Sequence, residues 1–344
     1  MITRAVVLLE MSNMRIKFST GIGGYFGLEL PYYGDPFPNT YKFQSGRAAL
    51  RTVLECAGIK QVWLPAYICD SVIQVVEDSG ATAKTYLLDD LLYPKDLPCF
   101  TVDNCVLLYV NYFALCQENV NRLLQEIPNQ QLIIDNSQAL FSPDSRALAT
   151  IYSVRKFVGV PDGGLLAVSD LDIKEPENED NDSIGRMKHL LIRMAYSARD
   201  GYSDYVNSEI TLSNSKPLRM SCLTKRLLAS IDMEQVKKRR RDNFSELAAL
   251  LDKHNLHKLA IGKDSVPLCY PLFVNYDVDN LKKYLRSKDI FIPTYWPDVK
   301  KRAVYKTIEY RLVHNCLAIP CDQRYSTIQM ADLADMILSG FNDK

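Results

Sequence analysis

Residues 150–168 read TIYSVRKFVGVPDGGLLAV, and the fold turns on how this stretch divides. Residues 150–153 and 164–168 are rich in β-branched and aliphatic side chains and predict two strands. Between them stand Arg155-Lys156-Phe157 and the pair Gly163-Gly164, which marks a turn. A lysine near a strand end, followed by a glycine-rich turn, can form an imine if its amine is partly desolvated. Ser153, one turn earlier, stands where it could hold a phosphate oxygen. Alone, Lys156 is more simply a solvated surface group, because lysine is seldom buried.

Working outward, residues 43–168 alternate β-rich runs with helical stretches. Residues 44–57 predict a helix with Ala48, Leu50, Val53 and Leu54 on its apolar stripe. Strands are expected at 62–64, 83–87, 106–110 and 132–134, and helices at 69–79 and 118–126. Strands separated by helices predict an α/β class fold with a mainly parallel sheet covered on both faces. In such sheets functional groups gather at the carboxyl ends of the strands. Farther on, residues 173–184 (IKEPENEDNDSI) are acidic and predict an exposed loop. Residues 231–254 predict one long helix leading to a smaller α+β unit, with strands at 268–274 and 291–293 and helices at 278–287 and 330–338. The expected division is a large domain over 1–230 and a small one over 231–344. Residues 1–14, with Met11 and Met14 as alternative starts, receive no functional weight.

Bulk properties narrow the function classes. Lys+Arg and Asp+Glu both number 41, so zero net charge gives no reason to expect nucleic acid or an anionic membrane as partner. The run Lys237-Lys238-Arg239-Arg240-Arg241 points around a helix and reads as largely solvated. No apolar run approaches a membrane span, and 5–9 is too short for a signal core. Nine cysteines without a CxxC pair, and four histidines without zinc-ligand spacing, predict reduced thiols, no metal site and a cytoplasmic location.

Three further segments complete the chemistry. Gln44-Ser45-Gly46-Arg47 opens a helix, where backbone N–H groups and the dipole suit a phosphate, with Arg47 adding charge. Such a cap is also common for structural reasons. Ile133-Ile134-Asp135-Asn136-Ser137-Gln138 sets an acid directly after a buried strand, a costly place unless a cation or several donors face it. A protonated pyridine nitrogen is one such cation, and a helix cap is the plain alternative. Leu64-Pro65-Ala66-Tyr67-Ile68-Cys69 offers Tyr67 as a ring-side aromatic or as ordinary core.

The order of phosphate loop, ring-side residue, strand-end acid and lysine resembles fold-type-I pyridoxal-phosphate (PLP) enzymes, and more closely the DegT/DnrJ/EryC1/StrS sugar aminotransferases. The resemblance covers most of the chain. It implies that Lys156 carries pyridoxal 5'-phosphate as a Schiff base and acts as general base and acid. It also implies that Asp135 pairs with the ring nitrogen, that Gln138 lies near the ring hydroxyl, and that Gly46, Arg47 and Ser153 hold the phosphate. Tyr67 or Cys69 would flank the ring. Tyr295-Trp296-Pro297 stands where many members place a substrate-facing His-Tyr-Pro. Arg47 replaces the usual threonine, Asp162 the usual glutamate, and Ser153 lies three rather than five residues before the lysine.

The resemblance predicts transfer of an amino group from an amino acid, glutamate by preference, to a nucleotide-linked keto-sugar, in surface polysaccharide or secondary-metabolite biosynthesis. It also implies a homodimer with the active site at the interface. A sugar dehydratase of the same family is disfavoured because Lys156 is retained. The contrasting reading is a non-catalytic or regulatory protein that kept the fold, motivated by Arg47 and Cys69.

Overall fold

The computed structural model describes residues 23–97, 104–143, 146–213 and 216–342; residues 1–14 lie outside these. Tyr32–Lys344 forms one compact unit, and the segment 23–31 belongs to another, without helix or strand.

The first half of the compact unit runs β1 (Tyr41–Phe43), α1 (Gly46–Cys56), β2 (Gln61–Pro65), α2 (Asp70–Asp78), β3 (Thr82–Tyr86), β4 (Cys105–Val110), α3 (Gln117–Glu126), β5 (Leu132–Asn136), β6 (Ala149–Ser153) and β7 (Gly164–Val168). The strands form one seven-stranded sheet in the order β1-β7-β6-β5-β4-β2-β3. From β3 to β6 all neighbours are parallel, and β7 runs antiparallel to both β6 and β1. This is the expected α/β class. β4 and β5 are buried along their whole length, which explains why they read as unbroken apolar runs.

The topology gathers several chain ends at one sheet edge: the carboxyl ends of β2, β4, β5 and β6 and the start of β7. β1 pairs Phe43 with Gly164, so α1 also begins there. Ser45 caps α1 by accepting the Ala48 N–H at 3.1 Å, and Ala48, Ala49, Leu50, Val53 and Leu54 form its buried face.

The second half runs α4 (Ser183–Arg186), α5 (Lys188–Ala195), α6 (Tyr202–Ser213), α7 (Cys222–Leu228), α8 (Met233–Leu251), β8 (Cys269–Phe273), α9 (Asp279–Ser287), α10 (Ile308–His314), β9 (Cys316–Pro320) and α11 (Thr327–Asn342). β8 and β9 pair antiparallel in a separate two-stranded sheet.

Two expectations are corrected. Residues 291–293 are not a strand; the partner of β8 is β9. The acidic stretch 173–184 is mostly exposed but not wholly so, because Asp180 is 3% exposed and forms a buried ion pair with Arg186. The described cysteines are all unpaired.

Candidate active site

Lys156 ends a single 3-10 turn, Val154–Lys156, that leaves β6. Its side chain reaches solvent, yet protein surrounds it closely enough that burial lowers its pKa from the ordinary lysine value. The charge of Asp135 is the strongest influence opposing the shift. Nζ donates to Ser137 Oγ at 3.1 Å.

Asp135, 8% exposed, lies near the end of β5 between Val110 of β4 and Ile151 of β6. Its carboxylate accepts the Ser137 N–H at 2.8 Å. Ser137 therefore joins acid to amine: its backbone donates to one and its hydroxyl accepts from the other. The sequence reading gave Ser137 no role, and its place within DNSQA was the only signal of one.

Gln138 is fully buried. Its Oε1 accepts the Phe113 N–H at 2.9 Å, which fixes the orientation of the amide, and Nε2 has no partner among the described residues. A buried donor without an acceptor is costly, and a bound oxygen would relieve it. Phe113 and Ala114 both adopt left-handed backbone (φ 56° and 62°), so Gln138 steadies a strained turn at the end of β4.

Gly46 and Arg47 begin α1, and their backbone N–H groups have no partner among the described residues. Neither does the Arg47 guanidinium form an ion pair there; Glu209, the carboxylate with most influence on it, is engaged by Arg155. Burial lowers the Arg47 pKa, yet arginine remains charged. An unpaired cation beside free N–H groups at a helix start is a cradle for a dianion. Ser153 is half-buried at the end of β6 and pairs with Gly164 through the backbone.

The Gly163-Gly164 pair draws cradle and lysine together. A Cβ on Gly164 would stand 2.2 Å from the Ser45 carbonyl carbon, and one on Gly163 (φ 128°) 2.3 Å from Val154 Cγ2. Only glycine allows β7 to touch both the helix start and the lysine turn.

The aromatic candidates lie on the other side. Tyr67 is 1% exposed, with its ring edge-on to Trp296 at 4.6 Å and its hydroxyl donating to the Tyr295 carbonyl at 3.4 Å. The structure thus places Tyr67 in the core behind Trp296. The Trp296 ring centroid stands 5.8 Å from Lys156 Nζ, and Trp296 has left-handed backbone (φ 53°). Tyr295 packs against Phe113 at 6.0 Å. Cys69 precedes α2, its Sγ 3.0 Å from Ser71 Oγ.

These positions suit pyridoxal phosphate: an amine of lowered pKa, an acid beside it, an orphaned amide donor and an anion cradle meet at one sheet edge. Among the described residues no group of three or more His, Cys, Asp or Glu could hold a metal ion, and no helix is long and apolar enough to cross a membrane. Two open recesses of about 510 and 480 Å³, both lined by Lys42 and Lys225, share no residue with this cluster.

No protein-family model matches the chain, and no curated protein does. Solved structures do. DesV of S. venezuelae, in complex with a ketimine intermediate, is 16% identical over 87% of this chain and 83% of its own, with a TM-score of 0.58. A DegT DnrJ EryC1 StrS aminotransferase from Brucella abortus is 14% identical, covering 89% and 86%, with a TM-score of 0.58. The sugar aminotransferase Spr1654 from Streptococcus pneumoniae, described as putative and solved in its PLP form, is 14% identical, covering 91% and 88%, with a TM-score of 0.59.

Proposed function

We infer that the chain shares the chemistry of the aminotransferases whose fold it has, among them a DegT DnrJ EryC1 StrS aminotransferase. We propose that it is a PLP-dependent aminotransferase acting on a keto-sugar, nucleotide-linked, with glutamate as amino donor, and that it works as a cytoplasmic homodimer. The observation that carries this reading is the meeting of Lys156 with Asp135 through Ser137, beside the unpaired Arg47 and the orphaned Gln138 amide. The structural neighbours include sugar aminotransferases, one in a PLP form, which supports the sugar and the cofactor.

When bound, the cofactor supplies an aldehyde that captures amines and a ring that delocalises negative charge. The protein supplies the rest. Gly46, Arg47 and Ser153 would bind the phosphate, and Gln138 Nε2 would donate to the ring hydroxyl. Asp135 would hold a proton on the ring nitrogen. Lys156, its pKa lowered by burial, keeps a larger neutral fraction than an exposed lysine and can hold or release a proton at Nζ. Ser137 Oγ accepts from Nζ and orients it. Trp296 and Tyr295 would wall the sugar side.

The test is spectroscopic. Purified with added PLP, the protein should show a visible absorption band that borohydride fixes onto Lys156, as located by peptide mass spectrometry. Lys156→Ala should abolish the band. Amino acids and nucleotide-linked keto-sugars are then screened for bleaching and recovery of the band, glutamate first. A colourless protein without adduct would sink the enzyme reading and favour the non-catalytic one. A band that no amino acid bleaches would refute the aminotransferase reaction alone.

A further inference from the structure

The basic run on α8 contains one residue that does not behave like its neighbours. Lys237 pairs with Glu234 and Lys238 with Asp242, each at 2.7 Å on the surface, and Arg241 donates to the carbonyls of Asp264 and Ser265. Arg240 is 2% exposed and takes part in no ion pair among the described residues. Its acceptors are neutral: Nη1 donates to the Pro267 and Leu268 carbonyls at 3.2 Å each, and Nη2 to the Phe157 carbonyl at 3.0 Å. Its guanidinium also lies 4.6 Å from the centre of the Phe157 ring. Burial is the largest influence on Arg240, opposed in part by the charge of Asp322, a carboxylate already paired with Arg324, and burying a cation without a direct ion pair is costly. Such a placement is explained if something needs the fixed fork of donors that only arginine has.

Phe157 directly follows Lys156. A lone 3-10 turn has little stability of its own, so whatever holds residue 157 aims the lysine. Leu268, the second anchor, leads elsewhere: its N–H donates to the Phe113 carbonyl at 3.0 Å, and the Phe113 N–H donates to Gln138 Oε1 at 2.9 Å. Hydrogen bonds thus run without a break from the lysine turn, through Arg240 and the backbone of Leu268 and Phe113, to the Gln138 amide.

We propose that Arg240 is a positioning residue that locks the Lys156 turn in register with the Gln138 turn, so that amine and amide address one bound molecule together. This rests on the cofactor reading given above. Gln323, whose Nε2 donates to the same Phe157 carbonyl at 2.7 Å, is the auxiliary clamp. Arg240 touches neither the amine nor the amide and acts only through Phe157, Pro267 and Leu268.

The test uses the full-length protein and the variants Arg240→Met, Arg240→Lys and Gln323→Leu, with folding checked by near-ultraviolet circular dichroism. Two quantities are read: the acetylation rate of Lys156 in cofactor-free protein, with exposed Lys238 as internal reference, and the PLP dissociation constant from the visible band. A loosened turn moves Nζ away from the surroundings that lower its pKa and returns that pKa toward the ordinary lysine value. Arg240→Met should therefore slow acetylation of Lys156 relative to Lys238 at neutral pH, and weaken PLP binding by about tenfold. Arg240→Lys should recover part of the thermal midpoint but neither of these readouts, because an ammonium cannot serve three carbonyls and stack as the fork does. Gln323→Leu should move both readouts in the same direction by less, and it decides the matter if Arg240→Met does not fold. Folded variants that acetylate and bind PLP like the parent would overturn the role of Arg240. A parent protein that shows no band would overturn the cofactor reading, and this role with it.

Discussion

Gly164 shows how little room the site leaves at the scale of one residue. The close approach of Ser45 means that Gly164→Ala forces backbone away from backbone, at a cost of about 3 kcal/mol, the upper end for overpacking. Gly46→Ala is the control, since its Cβ would make only ordinary contacts at 3.5 Å with Ile151 and Tyr152. Urea unfolding should separate the two variants, with Gly46→Ala close to the parent; equal midpoints would show that β7 shifts freely. Lysine, acid, amide and glycines were legible in the sequence because each lies in a short run of distinctive composition at a strand end. Residues that act across the fold left no such mark. Glu209 engages Arg155 from 54 positions away, and the αL turn at Phe113-Ala114 occurs without a glycine to announce it.

Among elements, the link between β7 and α7 carries a pH signature. Asp162, fully buried just before β7, accepts from Ser221 Oγ at 2.5 Å and from the Ser221 N–H at 3.4 Å, and Ser221 caps α7. Burial pushes its carboxyl up to about 6, against the Ser221 and Thr224 hydrogen bonds that favour ionisation. The folded-state value thus lies above the unfolded one, near 4. The native protein then holds this proton more tightly, so the contribution is fully present below pH ~4 and is lost as pH rises through ~6. Two units correspond to about 3 kcal/mol. Relative to Asp162→Asn, the parent should lose about that much unfolding free energy between pH 4 and 7. Parallel pH curves for the two proteins would exclude this account. Elements differ in how visible they were. α1 was legible because one-sided burial imprints a period on the sequence, and the buried strands because they read as unbroken apolar runs. α4–α6 were not, because Met194, Tyr196, Tyr202 and Ile210 are exposed and no apolar stripe forms. The strand expected at 291–293 failed because three apolar residues suit a packed loop as well as a sheet.

For the whole molecule, a ligand that binds only the folded state stabilises it by mass action. PLP at a hundredfold excess over its dissociation constant should add about 2.7 kcal/mol and raise the thermal midpoint. In Lys156→Ala most of that increase should vanish. An equal rise in both proteins would mean that PLP binds away from Lys156. The class of fold was readable from strand and helix alternation, whereas the antiparallel turn of β7 and the β8–β9 pairing were not. Each depends on partners distant in sequence.

The grip on Phe157 also has a bearing on how the protein is made. Its carbonyl is held by side chains 83 and 166 positions farther along the chain. A ribosome that has released the lysine turn has still to synthesise both of them. The nascent chain therefore carries its reactive amine for a long stretch of translation without the means to aim it. On the proposed function, capture of the vitamin-derived cofactor then follows synthesis of both clamps rather than accompanying it.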